Sequence, residues 1–167
     1  KKKLKDYPEK ERELWLIFNS SRFEQDIAKS GLDSDEVIGL LDYPNYFEMT
    51  GQPLPSDKSG ILEKLKSDSL IKESLDGLSI TNLGAILFAR NLGQFERLSR
   101  KGLRVIQYDG KNRIKTKREG PGSKGYAIGF EGAISYINAL LPENEEIGQA
   151  LRQQVRMYPD LAFRALV

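Results

Sequence analysis

Apolar residues recur along this chain in two rhythms, and the changes of rhythm mark its elements. Leu14, Trp15, Ile17 and Phe18 give one apolar side to a helix that Pro8 opens and Asn19-Ser20-Ser21 ends. The pattern then weakens, and Phe23, Ile27 and Ala28 predict no more than one buried turn. Asp33-Ser34-Asp35 starts a clearer helix with Val37, Ile38, Leu40 and Leu41 inward, its acids placed at the positive end of the dipole. Tyr43-Pro44 is expected to stop it, leaving Asn45 to Thr50 as a short second helix carrying Tyr46, Phe47 and Met49. Beyond the stiff Gln52-Pro53-Leu54-Pro55, a third helix from Ser56 or Asp57 to Ser67 aligns Ile61, Leu62 and Leu65.

The period then shortens to two. Ser69 to Glu73 predicts a strand, Asp76-Gly77 a turn, and Leu78 to Thr81 the returning strand. Thr81 can cap a further helix with Leu83, Ile86, Leu87 and Arg90 at helical spacing. Three helices, a small β-wing and a closing helix predict a winged-helix-like module over 33–95. The exposed side of its third helix mixes Lys58, Lys64 and Lys66 with Asp57, Glu63 and Asp68, a poor surface for phosphates. That favours a structural or pairing role for the module.

Gly93 to Lys101 links this module to the most patterned stretch of the chain. Leu103 to Tyr108 and Lys111 to Arg118 are β-prone runs joined by Asp109-Gly110, the signature of a two-residue type I′ hairpin. That turn sets Tyr108 opposite Lys111, Ile106 opposite Arg113 and Arg104 opposite Lys115 on a cationic face. Gln107 then faces Asn112, Val105 faces Ile114, and Leu103 faces Thr116 on the other side. Gly120-Pro121-Gly122-Ser123-Lys124-Gly125 matches G-x-G-x-x-G literally, but a dinucleotide site needs a parallel βαβ unit, and the strand before it belongs to an antiparallel hairpin. It is expected to be a loop.

Tyr126 to Leu141 is the strongest helical signal, with Phe130, Ala133, Ile134, Ile137 and Leu141 in one stripe and Pro142 as its stop. This stripe is expected to cover the Leu103/Val105/Ile114 face of the hairpin. Glu143, Glu145 and Glu146 read as a solvated acidic turn rather than a magnesium site. Leu151, Val155 and Met157 alternate with Arg152, Gln154 and Arg156 as a third strand over Gln149 to Met157, and Pro159 opens another helix.

Charge sharpens this picture. Nine Lys or Arg residues and one acid lie between Arg97 and Arg118, a net of +8 in a chain whose total is +2, so the rest sums to −6. A strongly basic ribbon is either a solvated, lysine-studded edge or a surface that meets phosphates. Composition narrows the chemistry further. With no Cys and no His, thiolate catalysis, Ser-His-Asp hydrolysis and nearly all transition-metal sites are excluded. No G-x-x-x-x-G-K-[ST] is present, and neither an 18-residue apolar run nor a signal-peptide pattern occurs, so a cytoplasmic location is expected.

Five stretches together resemble a family of bacterial proteins described as transcriptional regulators or RecG-related helicases. They are LLDYPNYFEMTGQPLP (40–55), ITNLGAILFARN (80–91), RVIQYDGKNR (104–113), KGYAIGFEG (124–132) and MYPDLAFRALV (157–167). KKLKDYPEKERELW (2–15) is similar to the tail of a Schlafen-type AlbA domain. The resemblance implies the middle of a longer protein: an AlbA-like tail and linker over 1–32, the winged-helix-like module over 33–95, and over 96–167 the start of a GHKL-like ATP-binding domain. The family often carries Arg-Glu where this chain has Arg164-Ala165. That Glu resembles the GHKL general base, so hydrolysis does not carry over with the resemblance.

The expectations are therefore an α+β fold and a non-catalytic segment of a nucleic-acid-binding transcriptional regulator. DNA phosphates would be met by Arg104, Lys111, Arg113, Lys115, Lys117 and Arg118 on the hairpin. No cofactor or metal is expected in this stretch, with ATP and magnesium reserved for the longer protein the resemblance implies. The alternatives are the lead-in part of an ATP-dependent switch domain and a dimerisation scaffold, with a homodimer as the partner.

Overall fold

In the computed structural model, which describes Lys3 and residues 7–20, 23–141, 143–147 and 152–156, one carbonyl gathers three elements. The Leu70 oxygen accepts from the Thr81 N–H at 3.0 Å and lies 3.0 Å from the Thr81 hydroxyl. The same hydroxyl lies 2.9 Å from the Ser69 carbonyl and accepts from the Gly84 N–H at 3.1 Å. Thr81 thus ends one strand, caps the next helix and ties both to the strand before. Only glycine fits at 84, because a Cβ there would fall 2.2 Å from the Leu70 oxygen.

The elements around this point are α1 (Pro8–Ser20), β1 (Ile27–Leu32), α2 (Ser34–Leu40), α3 (Tyr43–Thr50), α4 (Lys58–Ser67), β2 (Ile71–Ser74), β3 (Gly77–Thr81) and α5 (Asn82–Phe88). β4 (Arg104–Tyr108), β5 (Thr116–Pro121), α6 (Tyr126–Leu140), β6 (Glu143–Ile147) and β7 (Arg152–Arg156) follow. The fold is α+β, with a small antiparallel sheet packed against helices. Two further helix starts are secured by side chains. Asp33 and Glu36 form a reciprocal capping box at 2.8 and 2.9 Å, and Asp57 accepts from the Gly60 N–H at 3.1 Å.

The first sheet has the order β1-β3-β2, so one strand of it was not expected. β1 pairs with β3 through two register irregularities, contains Gly31 at φ 69°, and buries only Leu32. Without alternate burial it carries no period-two signal, which is why the sequence predicts a turn there. Pro44 is corrected too. It sits in the first turn of α3, where its missing N–H costs nothing, so Tyr43-Pro44 begins a helix rather than ending one. Met49 faces solvent, whereas Tyr46 and Phe47 are buried.

The core joins Val37, Leu40 and Leu41 to Tyr46, Phe47, Ile61, Leu62, Leu65 and Leu70, and to Ile71, Leu78 and Ile80 of the sheet. α5 turns its small face inward. Gly84, Ala85 and Phe88 are buried, while Leu83, Ile86 and Leu87 are half-buried and Arg90 is exposed. The Phe88 ring meets Tyr46 edge to face at 5.4 Å between centroids. Leu92, Phe95 and Leu98 of the following link fill the same core from two 3-10 turns.

The acidic Glu143–Ile147 stretch is a strand, not a turn, and its partner is Arg152–Arg156. The strand expected near Gln149–Met157 thus exists in a shorter form, in a separate two-stranded sheet. The helix expected from Pro159 lies outside the described residues. At the other end, Trp15, Leu16, Ile17 and Phe18 of α1 are exposed. No helix among the described residues is long and apolar enough to cross a membrane.

Candidate nucleic-acid interface

The basic hairpin is built on β4 and β5, but not through a two-residue turn. Arg104 pairs with Pro121, Val105 with Gly120, Ile106 with Glu119 and Gln107 with Arg118, and a bulge then sets Tyr108 opposite Thr116. Type I′ geometry needs positive φ at both central residues. Gly110 has it at 81°, and Asp109 does not. The chain therefore runs on through a loop that closes where the Asp109 N–H donates to the Lys115 carbonyl at 2.8 Å.

Tertiary packing accounts for the shifted register. The Tyr136 ring of α6 lies so close to Gly120 that a Cβ at that position would fall 2.6 Å from Cε1. Opposite Val105 the hairpin needs a residue without a side chain. Gly120 supplies this, and Ile114, expected there, is instead 87% exposed in the loop. The α6 side that meets the hairpin carries Gly129, Gly132, Ala133 and Tyr136 against Leu103 and Val105. Of the expected stripe, Ile134 is buried, while Phe130, Ala133, Ile137 and Leu141 are half-buried.

The six expected contact residues consequently do not share one face. Lys111, Arg113 and Lys115 lie in the loop, Lys117 and Arg118 on β5, and Arg104 at the far end of β4. Arg118 shares the Val105/Gly120 face, while Arg104 shares a face with Ile106 and Glu119. Two of the six are neutralised locally. Arg104 Nε is 3.1 Å from Glu119 Oε1, and Lys115 Nζ is 3.0 Å from Asp109 Oδ2. Lys111, Arg113, Lys117 and Arg118 are exposed and have no anionic partner among the described residues. Four free cations at the loop end are what the hairpin offers an anionic surface.

The third helix of the preceding module offers less. Lys58 is paired with Asp35 at 2.5 Å and the half-buried Lys66 with Glu73 at 2.7 Å, so two of its three lysines are already occupied. Lys66 also holds the Glu73 carboxyl below the usual carboxylate range, by hydrogen bonding and charge.

The glycine-rich loop is clamped rather than open. Gly122 N–H donates to the Leu103 carbonyl at 2.6 Å, Ser123 carbonyl accepts from the Leu92 N–H at 2.6 Å, and Gly125 N–H donates to the Ala89 carbonyl at 2.8 Å. Its glycines allow close backbone approach, since a Cβ at Gly125 would lie 2.5 Å from the Leu87 oxygen. Between this loop, β4 and α6 lies a half-open slot of about 460 Å³. The sequence carries no signal for it apart from the glycine spacing.

No His/Cys/Asp/Glu cluster among the described residues could hold a metal ion. Neither a family model nor a curated protein nor a solved structure matches this chain.

Proposed function

We propose that this chain is a non-catalytic, nucleic-acid-binding segment of a bacterial transcriptional regulator that grips DNA phosphates through the loop end of its basic hairpin. The observation that carries the reading is the set of four exposed cations, Lys111, Arg113, Lys117 and Arg118, left without carboxylate partners while lysines on the neighbouring module are paired. Exposed Lys and Arg side chains on this loop and the adjoining strand reach phosphates more readily than base edges, so binding is weak and indifferent to sequence. The module over 33–95 acts as a winged-helix-like platform with a structural or pairing role, which the ion pairs of Lys58 and Lys66 on its third helix support. A cytoplasmic location goes with this reading.

The test is binding of generic duplex DNA to the chain and to its Lys111→Glu/Arg113→Glu variant. Both positions are exposed, so the reversal leaves the fold intact. Measurable binding that the reversal abolishes supports the reading. No binding at about 50 mM salt, where phosphate contacts are strongest, makes the ribbon a solvated edge instead.

A further inference from the structure

We propose that the slot between the hairpin and α6 seats an unstacked nucleobase, so that the preferred ligand is single-stranded rather than duplex. The proposal rests on the phosphate-binding reading above and narrows its ligand.

Leu103 and Val105 form one wall of the slot, and the small α6 face of Gly129, Gly132 and Ala133 forms another, with Tyr136 among its linings. A volume of about 460 Å³ falls within the range of small-molecule sites, roughly 300–1,000 Å³. Gly120, Gly122, Gly129, Gly132 and Ala133 on the lining leave room for a planar ring beside Leu103 and Val105, and Tyr136 brings an aromatic side chain to the same lining. The polar groups are few. Ser123, Lys124 and Tyr136 are among the lining residues, and their hydroxyl and ammonium groups have no hydrogen-bond or ionic partner among the described residues. They can meet the edge of a base.

Charge decides between a base and an uncharged apolar guest. Arg118 shares its face of β5 with Gly120, which lines the slot, and stands two residues away. At about 3.3 Å per strand residue the separation is roughly 7 Å, the scale of one nucleotide step in an extended strand. A base in the slot therefore places its own backbone at Arg118, and the strand continues toward Lys111 and Arg113. A stacked duplex base cannot enter, because its ring faces are already covered.

The experiment compares fluorescence anisotropy for a labelled single strand, the same strand annealed to its complement, and a strand of the same length made of abasic sugar-phosphate. Each is titrated with the chain and with its Gly132→Leu variant. A Cβ at Gly132 meets nothing within 4 Å, and leucine is the better helix former, so this variant fills the slot without disturbing α6. The expected result is single-strand binding about tenfold tighter than duplex or abasic binding, with Gly132→Leu removing that advantage and leaving duplex binding unchanged. Equal affinities for all three ligands, or an advantage that survives Gly132→Leu, overturns the base-seating slot while the phosphate-binding hairpin stands. Absence of binding to every ligand overturns both.

Discussion

Lys115 holds Asp109 twice: its carbonyl accepts from the Asp109 N–H at 2.8 Å, and its ammonium lies 3.0 Å from Asp109 Oδ2. The second contact withholds one cation from the loop. Asp109→Asn should free Lys115 while keeping the backbone bond that closes the loop. With five free cations instead of four, the salt slope of DNA binding should steepen from about −3.6 to about −4.5 at roughly −0.9 per contact. Stability should change by no more than about 1 kcal/mol, because the ion pair is exposed. An unchanged slope would remove Lys115 from the interface.

The join at Leu70 makes a sharper demand. Gly84→Ala would place a methyl carbon 2.2 Å from a carbonyl that already serves Thr81, so backbone must move. Overpacking of this kind costs about 1–3 kcal/mol. Urea unfolding should register that loss despite alanine's better helix propensity. A stabilised Gly84→Ala would mean that α5 does not approach β2 as described.

On α6, Ile134→Ala should cost about 2–5 kcal/mol and Ser135→Ala less than about 0.5 kcal/mol, since the first side chain is buried and the second exposed. Equal small effects in thermal unfolding would contradict the orientation of the helix.

Tyr46 links stability to alkaline pH. Burial, together with the 2.5 Å bond from its hydroxyl to Asp68 Oδ2, pushes its pKa up from 10.0 to about 12. A raised folded-state pKa stabilises the fold while the phenol is protonated in both states. That contribution is fully present below about pH 10 and is lost as pH climbs toward about 12. Tyr46→Phe should therefore be less stable than the parent by about 1–3 kcal/mol near pH 7, with the gap narrowing between pH 10 and 12. A gap independent of pH would remove the phenol from the linkage.

Much of the helical half of the fold was legible because its signals are local. Thr81 caps the helix it was expected to cap, the helices expected to start near Asp33 and Asp57 do so, and Ile61, Leu62 and Leu65 are buried as their spacing implies. β1 was not legible, because an irregular strand with one buried residue has no periodicity to read. The basic segment was visible in the charge count, but its register was not. Asp109-Gly110 is strong local turn chemistry, and it yields to a contact between Gly120 and Tyr136 that only the folded chain brings together. The slot arises from that same long-range contact.

The salt dependence of duplex binding tests the central claim most directly. Four unpaired cations on the hairpin predict that log K falls linearly with log[salt] at a slope near −3.6, and that Lys111→Glu/Arg113→Glu eliminates binding. A slope near zero, or binding that survives the reversal, would contradict it.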